Sequence, residues 1–318
     1  MLAPQVAIRA NKGFTLLEIG VVLVIVGLVA GGILVARDLI RSSYMHSQIT
    51  QIEKYKSAVG TFEEKFGALP GDMNNTIATQ FNFAPRGTQP GQGDGNGVIS
   101  GFSAAPLTWG AIQSGEPTAF WVDISQVGLI ESNFNTALPT GLNTGLCTIT
   151  NSTTPNLGNY FPSAKLGQGN YVVVWSGGYV NCGGACGGPG CNTNSDGINY
   201  FAVVAMPSLS CWANVMYVGW TGGSISAQGA ISVSQAYQID KKVDDGLPQS
   251  GAVMAMGPIF MNGIWSGTTN MCVPPYTTAT LGNASTCFDN NNVAGAAQQY
   301  SVTQNGGSGI NCSLSFKF

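Results

Sequence analysis

The stretch FTLLEIGVVLVIVGLVAGGILVA, residues 14–36, decides how the chain is organised. It is 23 residues long and almost entirely apolar, so as a helix it can cross the hydrocarbon core of a bilayer. Arg9 and Lys12 precede it, and this basic flank predicts a cytoplasmic N-terminus. Arg37 and Arg41 on the far side weaken that orientation signal.

Glu18 interrupts the apolar stretch. A carboxylate at the bilayer centre costs about 2.5–3.5 kcal/mol on insertion scales, so such a residue usually has a partner and a function. If the chain were cut before Phe14, the new terminal amine would lie one helical turn from Glu18, and the amine of a neighbouring subunit could neutralise the carboxylate. The alternative is a secretory signal peptide cleaved near residues 34–36, but its apolar core would usually be only about 7–15 residues long.

Residues 12–18, KGFTLLE, resemble the N-terminal signature of type IV pilins and of type II secretion pseudopilins. The resemblance implies that a membrane prepilin peptidase cuts after Gly13 and methylates the amine of Phe14. Residues 1–13 would then be a leader peptide. The resemblance also implies that Glu18 acts in filament assembly.

The same resemblance implies a pilin-like fold, in which a long N-terminal helix packs on a globular head. Apolar residues continue beyond the apolar stretch at spacings of three and four, and no proline interrupts them. We therefore expect one stalk helix over residues 14–66, with residues 14–36 as its transmembrane part. Gly67 and Pro70 fit the end of this helix. The head would comprise residues 67–318.

Localisation and partners follow from the resemblance. Before assembly the protein would be a single-pass protein of the inner membrane with a cytoplasmic N-terminus, and afterwards part of a periplasmic or cell-surface filament. Its expected partners are prepilin peptidase, other pilin or pseudopilin subunits and the membrane. Pilus and secretion pseudopilus both remain open, and the large head favours a minor or specialised subunit. The alternative is a pilus-tip adhesin that a pilin N-terminus merely delivers.

Charge and motif content argue against other functional classes. The net charge is −3, and the head holds five basic and ten acidic residues, so no basic surface for nucleic acid is expected. His46, the only histidine, lies on the predicted stalk, which leaves no histidine for a Ser-His-Asp or Cys-His site in the head. We therefore expect no enzyme activity. An acid-only glycosidase that uses Glu116 and Glu131, or a pair of aspartates, is the remaining enzymatic alternative.

The head is expected to be rich in β-structure, which makes the fold class α+β. Residues 115–132 predict a short amphipathic helix that ends near Gly128. The tail, residues 309–318, alternates in polarity and predicts an edge strand pinned by Cys312. Three further runs rich in β-branched and aromatic residues predict strands. These runs are residues 171–175, 200–206 and 215–220.

Eight cysteines, an even number, follow the export segment and predict a disulfide framework in the head. Buried free thiols are the alternative, and the connectivity stays open among 105 pairings. Three of the cysteines form a tight cluster, but their spacing fits no common zinc pattern, which favours small disulfide-bonded loops over a metal site. The candidates are Cys147, Cys182, Cys186, Cys191, Cys211, Cys272, Cys287 and Cys312.

Calcium is the one cofactor that the sequence suggests. Asp240, Asp244 and Asp245 lie close together in sequence and offer carboxylate oxygens, and calcium in a head loop is a trait that the resemblance implies. A helix end followed by an Asp-Asp-Gly turn with solvated carboxylates is the alternative. Asp94 and Asn96 match part of an EF-hand loop, but the acids that should flank them are missing, which favours a simple turn.

Overall fold

The computed structural model describes the chain in segments. They are residues 15–88, 91–99, 115–135, 157–176, 197–205, 209–212, 215–218, 220–221, 224–225, 231–256 and 279–318; for residues 157, 209–225 and 256 only the backbone is described. The chain divides into two compact units, Met1–Tyr44 and Met45–Phe318. The fold class is α+β, as the sequence predicts, with a long apolar N-terminal helix and antiparallel sheets.

Helix α1, Leu16–Phe66, is 51 residues long and covers the predicted stalk. It is the one helix among the described residues that is long and apolar enough to cross a membrane. Every side chain over residues 16–41 is exposed, although most of them are apolar. The helix ends where Gly67 takes a positive φ of +67°, a conformation that glycine adopts at little cost.

The C-terminal part of α1 contributes an apolar stripe to the core of the second unit. Ile52, Tyr55 and Val59 belong to the main hydrophobic cluster, and the ring of Tyr55 lies 5.1 Å from that of Trp121. Further along the helix, Phe62 and Phe66 belong to a second cluster together with Met73, Ala78 and Phe83. Burial of side chains of this size contributes about 1.5–3 kcal/mol each, which fixes this part of the helix.

Two glutamines of α1 add polar contacts that the sequence did not suggest. Gln51 donates from Nε2 to the carbonyl of Ser163 (2.9 Å) and accepts at Oε1 from the backbone N–H of Lys165 (3.0 Å). Gln48 accepts from the backbone N–H of Leu166 (3.1 Å). Both glutamines are buried, so these hydrogen bonds satisfy carboxamide atoms that are largely withdrawn from water.

Three shorter α-helices, eleven strands and two 3₁₀ helices, Leu157–Asn159 and Gln304–Gly307, complete the described elements. The α-helices are α2 (Asn75–Gln80), α3 (Glu116–Gln126) and α4 (Val233–Val243). The strands are β1 (Asn170–Ser176), β2 (Asn199–Ala205), β3 (Leu209–Trp212), β4 (Val215–Val218), β5 (Trp220–Thr221), β6 (Ser224–Ile225), β7 (Ile231–Ser232), β8 (Val253–Met256), β9 (Phe288–Asp289), β10 (Gln299–Tyr300) and β11 (Ile310–Lys317). The predicted amphipathic helix is present as α3, and the three predicted strand regions as β1, β2 and β4–β5.

The main sheet is antiparallel and has the order β1-β2-β11, with β7 and β8 both pairing with the other side of β11. The prediction that the tail is an edge strand is therefore wrong. Strand β11 lies inside the sheet, because β2 pairs with it through Leu314–Val203 and β8 through Leu314–Ala255. Its residues 312–316 are all buried, including Ser313 and Ser315, so both faces of this strand are covered although its sequence alternates in polarity.

Candidate functional site

Thr15 and Glu18 close the N-terminal end of α1. The backbone N–H and the hydroxyl of Thr15 donate to Glu18 Oε2 (2.7 and 2.9 Å), and the backbone N–H of Glu18 donates to Thr15 Oγ1 (3.3 Å). This reciprocal arrangement is a capping box, in which two otherwise unpaired helical N–H groups are satisfied. Gly13 and Phe14, the predicted sites of cleavage and methylation, lie outside the described residues.

The three predicted calcium ligands come together at the end of α4. One carboxylate oxygen each of Asp240, Asp244 and Asp245 lies within 4.8 Å of the others. Asp240 belongs to the last turn of α4, whereas Asp244 and Asp245 begin the loop that follows. The capping box of Ser232 and Gln235 starts this helix and so sets the position of its last turn.

Asp240 is buried and its two oxygens have different partners. Oδ1 accepts from the backbone N–H of Gly246 (3.2 Å) and Oδ2 from the hydroxyl of Tyr300 (2.7 Å). Burial raises the pKa of Asp240 to about 7, against the lowering effect of these two hydrogen bonds. The negative charges of Asp245 and Asp244 add to the rise in pKa.

Asp244 and Asp245 hold the loop that connects α4 to β8. Asp244 Oδ2 accepts from the backbone N–H groups of Ala252 and Val253, and Asp245 accepts from the N–H of Leu247 (2.8 Å). Oxygen-only ligands of this kind suit Ca²⁺. The hydrogen bonds also account for the arrangement without a cation, because they are the bonds by which carboxylates stabilise turns. Calcium at this loop stays a prediction.

A second acidic group, which the sequence did not predict as a unit, consists of Asp72, Asp94 and Glu116. Asp72 accepts backbone N–H groups from Gly95 (2.9 Å), Asn96 (3.2 Å) and Gly97 (2.7 Å). Burial raises the pKa of Asp72 to about 6, while these hydrogen bonds lower it. Asp72 and Glu116, which are 44 residues apart in the sequence, both bind the backbone of one glycine-rich loop. No short sequence motif could have indicated that these two acids lie together.

Asp94 and Asn96 form two successive turns within this loop. Asp94 Oδ1 accepts from the N–H of Asn96 (3.2 Å), and Asn96 Oδ1 accepts from the N–H of Val98 (2.7 Å). Both residues are exposed. Such bonds from an Asx side chain to the backbone two residues on are typical of turns, which is the interpretation that the sequence favoured over an EF-hand.

Arg86 and Asp123 form a buried ion pair beside this loop. Arg86 Nη2 lies 2.5 Å from Asp123 Oδ2, and each side chain is 1% exposed. Asp123 also accepts from the backbone N–H of Gly71 (2.7 Å). Burial raises the pKa of the Asp123 carboxyl, and the adjacent guanidinium opposes that rise. Arg86 is the single arginine among the five basic residues of the head, and this scarcity was the one signal that the sequence offered for such a pair.

Among the described residues, the predicted disulfide framework is represented by one bond, which joins Cys287 to Cys312, and both residues are buried. The bond ties β11 to the strand pair β9–β10, because Cys287 directly precedes β9. Cys211 lies on β3, of which only the backbone is described. Cys147, Cys182, Cys186, Cys191 and Cys272 lie outside the described residues.

The structure also gives the environment of the side chains that were considered for catalysis or for glycan binding. Glu116 is buried and accepts the backbone N–H of Gly93 (2.9 Å), whereas Glu131 is exposed. His46 is exposed on α1, and its Nε2 lies 2.5 Å from Lys242 Nζ. Trp121 and Trp175, the two tryptophans whose side chains are described, are buried in the core, so neither offers its ring to a glycan.

No family model, curated protein or solved structure matches this chain.

Proposed function

We propose that the chain is a minor or specialised subunit of a type IV pilus or of a type II secretion pseudopilus. The observation that carries this proposal is the capping box of Thr15 and Glu18 at the start of a 51-residue helix. The KGF sequence directly precedes it, and an exposed apolar surface follows it. A soluble domain would leave such a surface uncovered, whereas a membrane and later a filament would cover it.

The proposed pathway assigns a role to each N-terminal group. Cleavage after Gly13 frees the amine of Phe14, and the apolar part of α1 holds the subunit in the membrane. Thr15 keeps the Glu18 carboxylate hydrogen-bonded during this stage, which lowers the cost of placing it near hydrocarbon. On assembly, the amine of a neighbouring Phe14 approaches Glu18 and forms the ion pair that sets the register of the two helices.

The mass of the N-terminal peptide of the mature protein, isolated from its native cell, tests the processing step. We expect a peptide that starts at N-methylated Phe14. A start near Arg37 would instead identify a conventional signal peptide and would contradict the proposal.

The assembly step is tested with Glu18→Ala, matched by Glu53→Ala on the exposed surface of the same helix. The Glu18 variant should insert into the membrane and be processed normally, yet be lost from purified filaments. The Glu53 variant should enter filaments like the unaltered protein. Normal incorporation of the Glu18 variant would show that its carboxylate has no assembly role.

A further inference from the structure

Three Asn-x-Ser/Thr sequences lie within the described residues. In exported proteins this sequence marks possible acceptors of an N-linked glycan, provided that the asparagine is accessible. They begin at Asn74, Asn283 and Asn311, and a fourth, at Asn151, lies outside the described residues. The three asparagines within the described residues differ in their exposure and in their hydrogen bonds.

Asn311 and Asn74 are engaged in the fold. Asn311 donates from Nδ2 to the carbonyl oxygen of Ala284 (2.8 Å), and the hydroxyl residue of its sequence, Ser313, is buried in β11. Asn74 is half-buried as the N-cap of α2, where its Oδ1 accepts from the N–H of Ile77 (3.0 Å). Modification of Asn311 would break the bond that its Nδ2 donates, and the half-buried position of Asn74 leaves its Nδ2 less accessible than that of an exposed asparagine.

Asn283 has the opposite surroundings. It is exposed, as are Ala284 and Ser285. Its Oδ1 accepts from both the backbone N–H (2.8 Å) and the hydroxyl (2.6 Å) of Ser285. Nδ2 has no hydrogen-bond partner among the described residues. Hydrogen bonds to the carboxamide oxygen withdraw electron density from the amide and favour loss of a proton from Nδ2, which is what an acceptor nitrogen must undergo.

We infer that Asn283 is a site of N-linked glycosylation. Of the three described asparagines, it alone combines a carboxamide nitrogen that has no hydrogen-bond partner among the described residues with a neighbouring hydroxyl, that of Ser285, that donates to its carboxamide oxygen. The donor would be a saccharide carried on a polyprenyl diphosphate. Nδ2 forms a bond to the anomeric carbon, the bond from that carbon to the phosphate oxygen breaks, and the polyprenyl diphosphate leaves. The amide proton passes to a base of the transferase.

The surroundings of Asn283 give the glycan a fixed base. Asn311 bonds to the neighbouring Ala284, and the disulfide between Cys287 and Cys312 anchors the same segment to β11. The nearby side chains of Leu281 and Ile310 are exposed. A glycan here would stand on a rigid part of the unit and reduce the exposure of these apolar side chains to water.

The inference rests on the proposed function, since the transfer requires a head outside the cytoplasm. The test uses the full-length protein from its native cell, reduced and digested with chymotrypsin. Trypsin is unsuitable because no Lys or Arg lies between Lys242 and Lys317, whereas cleavage after Tyr276 and Phe288 releases residues 277–288. Mass spectrometry should find this peptide with an added saccharide, and glycopeptide hydrolysis by an N-glycosidase should convert Asn283 to aspartate.

Matched variants locate the attachment. Asn283→Gln and Ser285→Ala should abolish the glycopeptide, Ser285→Thr should retain it, and Asn74→Gln should leave it unchanged. A peptide 277–288 found only without saccharide overturns the inference. The N-terminal peptide is measured in the same sample: methylated Phe14 with unmodified Asn283 rejects the glycan alone, whereas a start near Arg37 with modified Asn283 rejects the filament function alone.

Discussion

The hydroxyl of Tyr300 donates a hydrogen bond of 2.7 Å to the carboxylate of Asp240, and both residues are buried. The contact joins the last turn of α4 to strand β10, whose residues are 60 positions further along the chain. It lowers the pKa of Asp240, but the loss of water around the carboxylate outweighs it and raises the pKa to about 7. The buried acid is therefore only partly compensated by its partners.

Removing the hydroxyl with Tyr300→Phe should lower the free energy of unfolding by about 1–3 kcal/mol, because a buried charged acceptor then loses a donor. Urea unfolding of the full-length protein in detergent at pH 8 measures the change. Tyr171→Phe, at a partly exposed tyrosine of β1, is the control and should change the free energy of unfolding by less than about 0.5 kcal/mol. Equal effects of the two substitutions would contradict the role of the bond.

The raised pKa of Asp240 also predicts how stability depends on pH. Between its ordinary value of 3.8 and about 7, the folded protein binds the proton more strongly than the unfolded chain does. The free energy of unfolding should therefore rise as the pH falls from 8 to 5. Asp72, with a pKa raised to about 6, adds to the same trend.

Unfolding midpoints measured between pH 5 and pH 8, with a chelator present to exclude cations, check this sign. Asp240→Asn should flatten the dependence, whereas Glu63→Gln, at an exposed glutamate of α1, should leave it unchanged. If the free energy of unfolding of the unaltered protein instead increases with pH over this range, groups other than Asp240 and Asp72 dominate its pH dependence.

The sequence predicted the elements that depend on neighbouring residues. The stalk helix follows from apolar spacing and the absence of proline, and β1 and β2 follow from β-branched runs between glycine and asparagine. Asp240 and Asp244 were grouped correctly because one helical turn brings them together. In each case the relevant contacts span only a few residues.

Contacts between distant parts of the chain were not predictable in this way. The tail was expected at the edge of the sheet, yet it lies between β2 and β8, which are about 110 and 60 residues earlier in the sequence. An alternating pattern shows that one face is buried, but not which strands lie on either side. The grouping of Asp72 with Glu116 was not predictable for the same reason: the two acids are distant in the sequence, and neither belongs to a local motif.

The disulfide between Cys287 and Cys312 closes a loop with a sequence separation of 25. Chain-entropy theory gives about 3.5 kcal/mol of stabilisation for a loop of this size. The double substitution Cys287→Ser/Cys312→Ser should lower the free energy of unfolding by about 2–4 kcal/mol. Denaturant unfolding under non-reducing conditions measures this loss. If the bond acts as proposed, each single substitution should destabilise by a similar amount, and a double variant as stable as the unaltered protein would contradict it.

Removing one partner of the buried ion pair of Arg86 and Asp123 should be strongly destabilising, because the remaining charge cannot reach water. Arg86→Ala would leave the Asp123 carboxylate buried with only the N–H of Gly71 as a remaining charge-stabilising donor among these contacts, and we expect a loss of about 3–5 kcal/mol. The pair of half-buried Lys56 and exposed Glu53 provides the comparison, since its N–O distance of 3.7 Å and its access to water predict a contribution below about 1 kcal/mol. Unfolding of Arg86→Ala and Lys56→Ala in parallel distinguishes the two environments.

Replacing both members of the buried pair, Arg86→Met with Asp123→Leu, should recover part of the loss, because the cost lies in the unpaired buried charge rather than in the missing attraction. If the double variant is less stable than Arg86→Ala, the ion pair itself, and not the isolated carboxylate, sets the stability of this region.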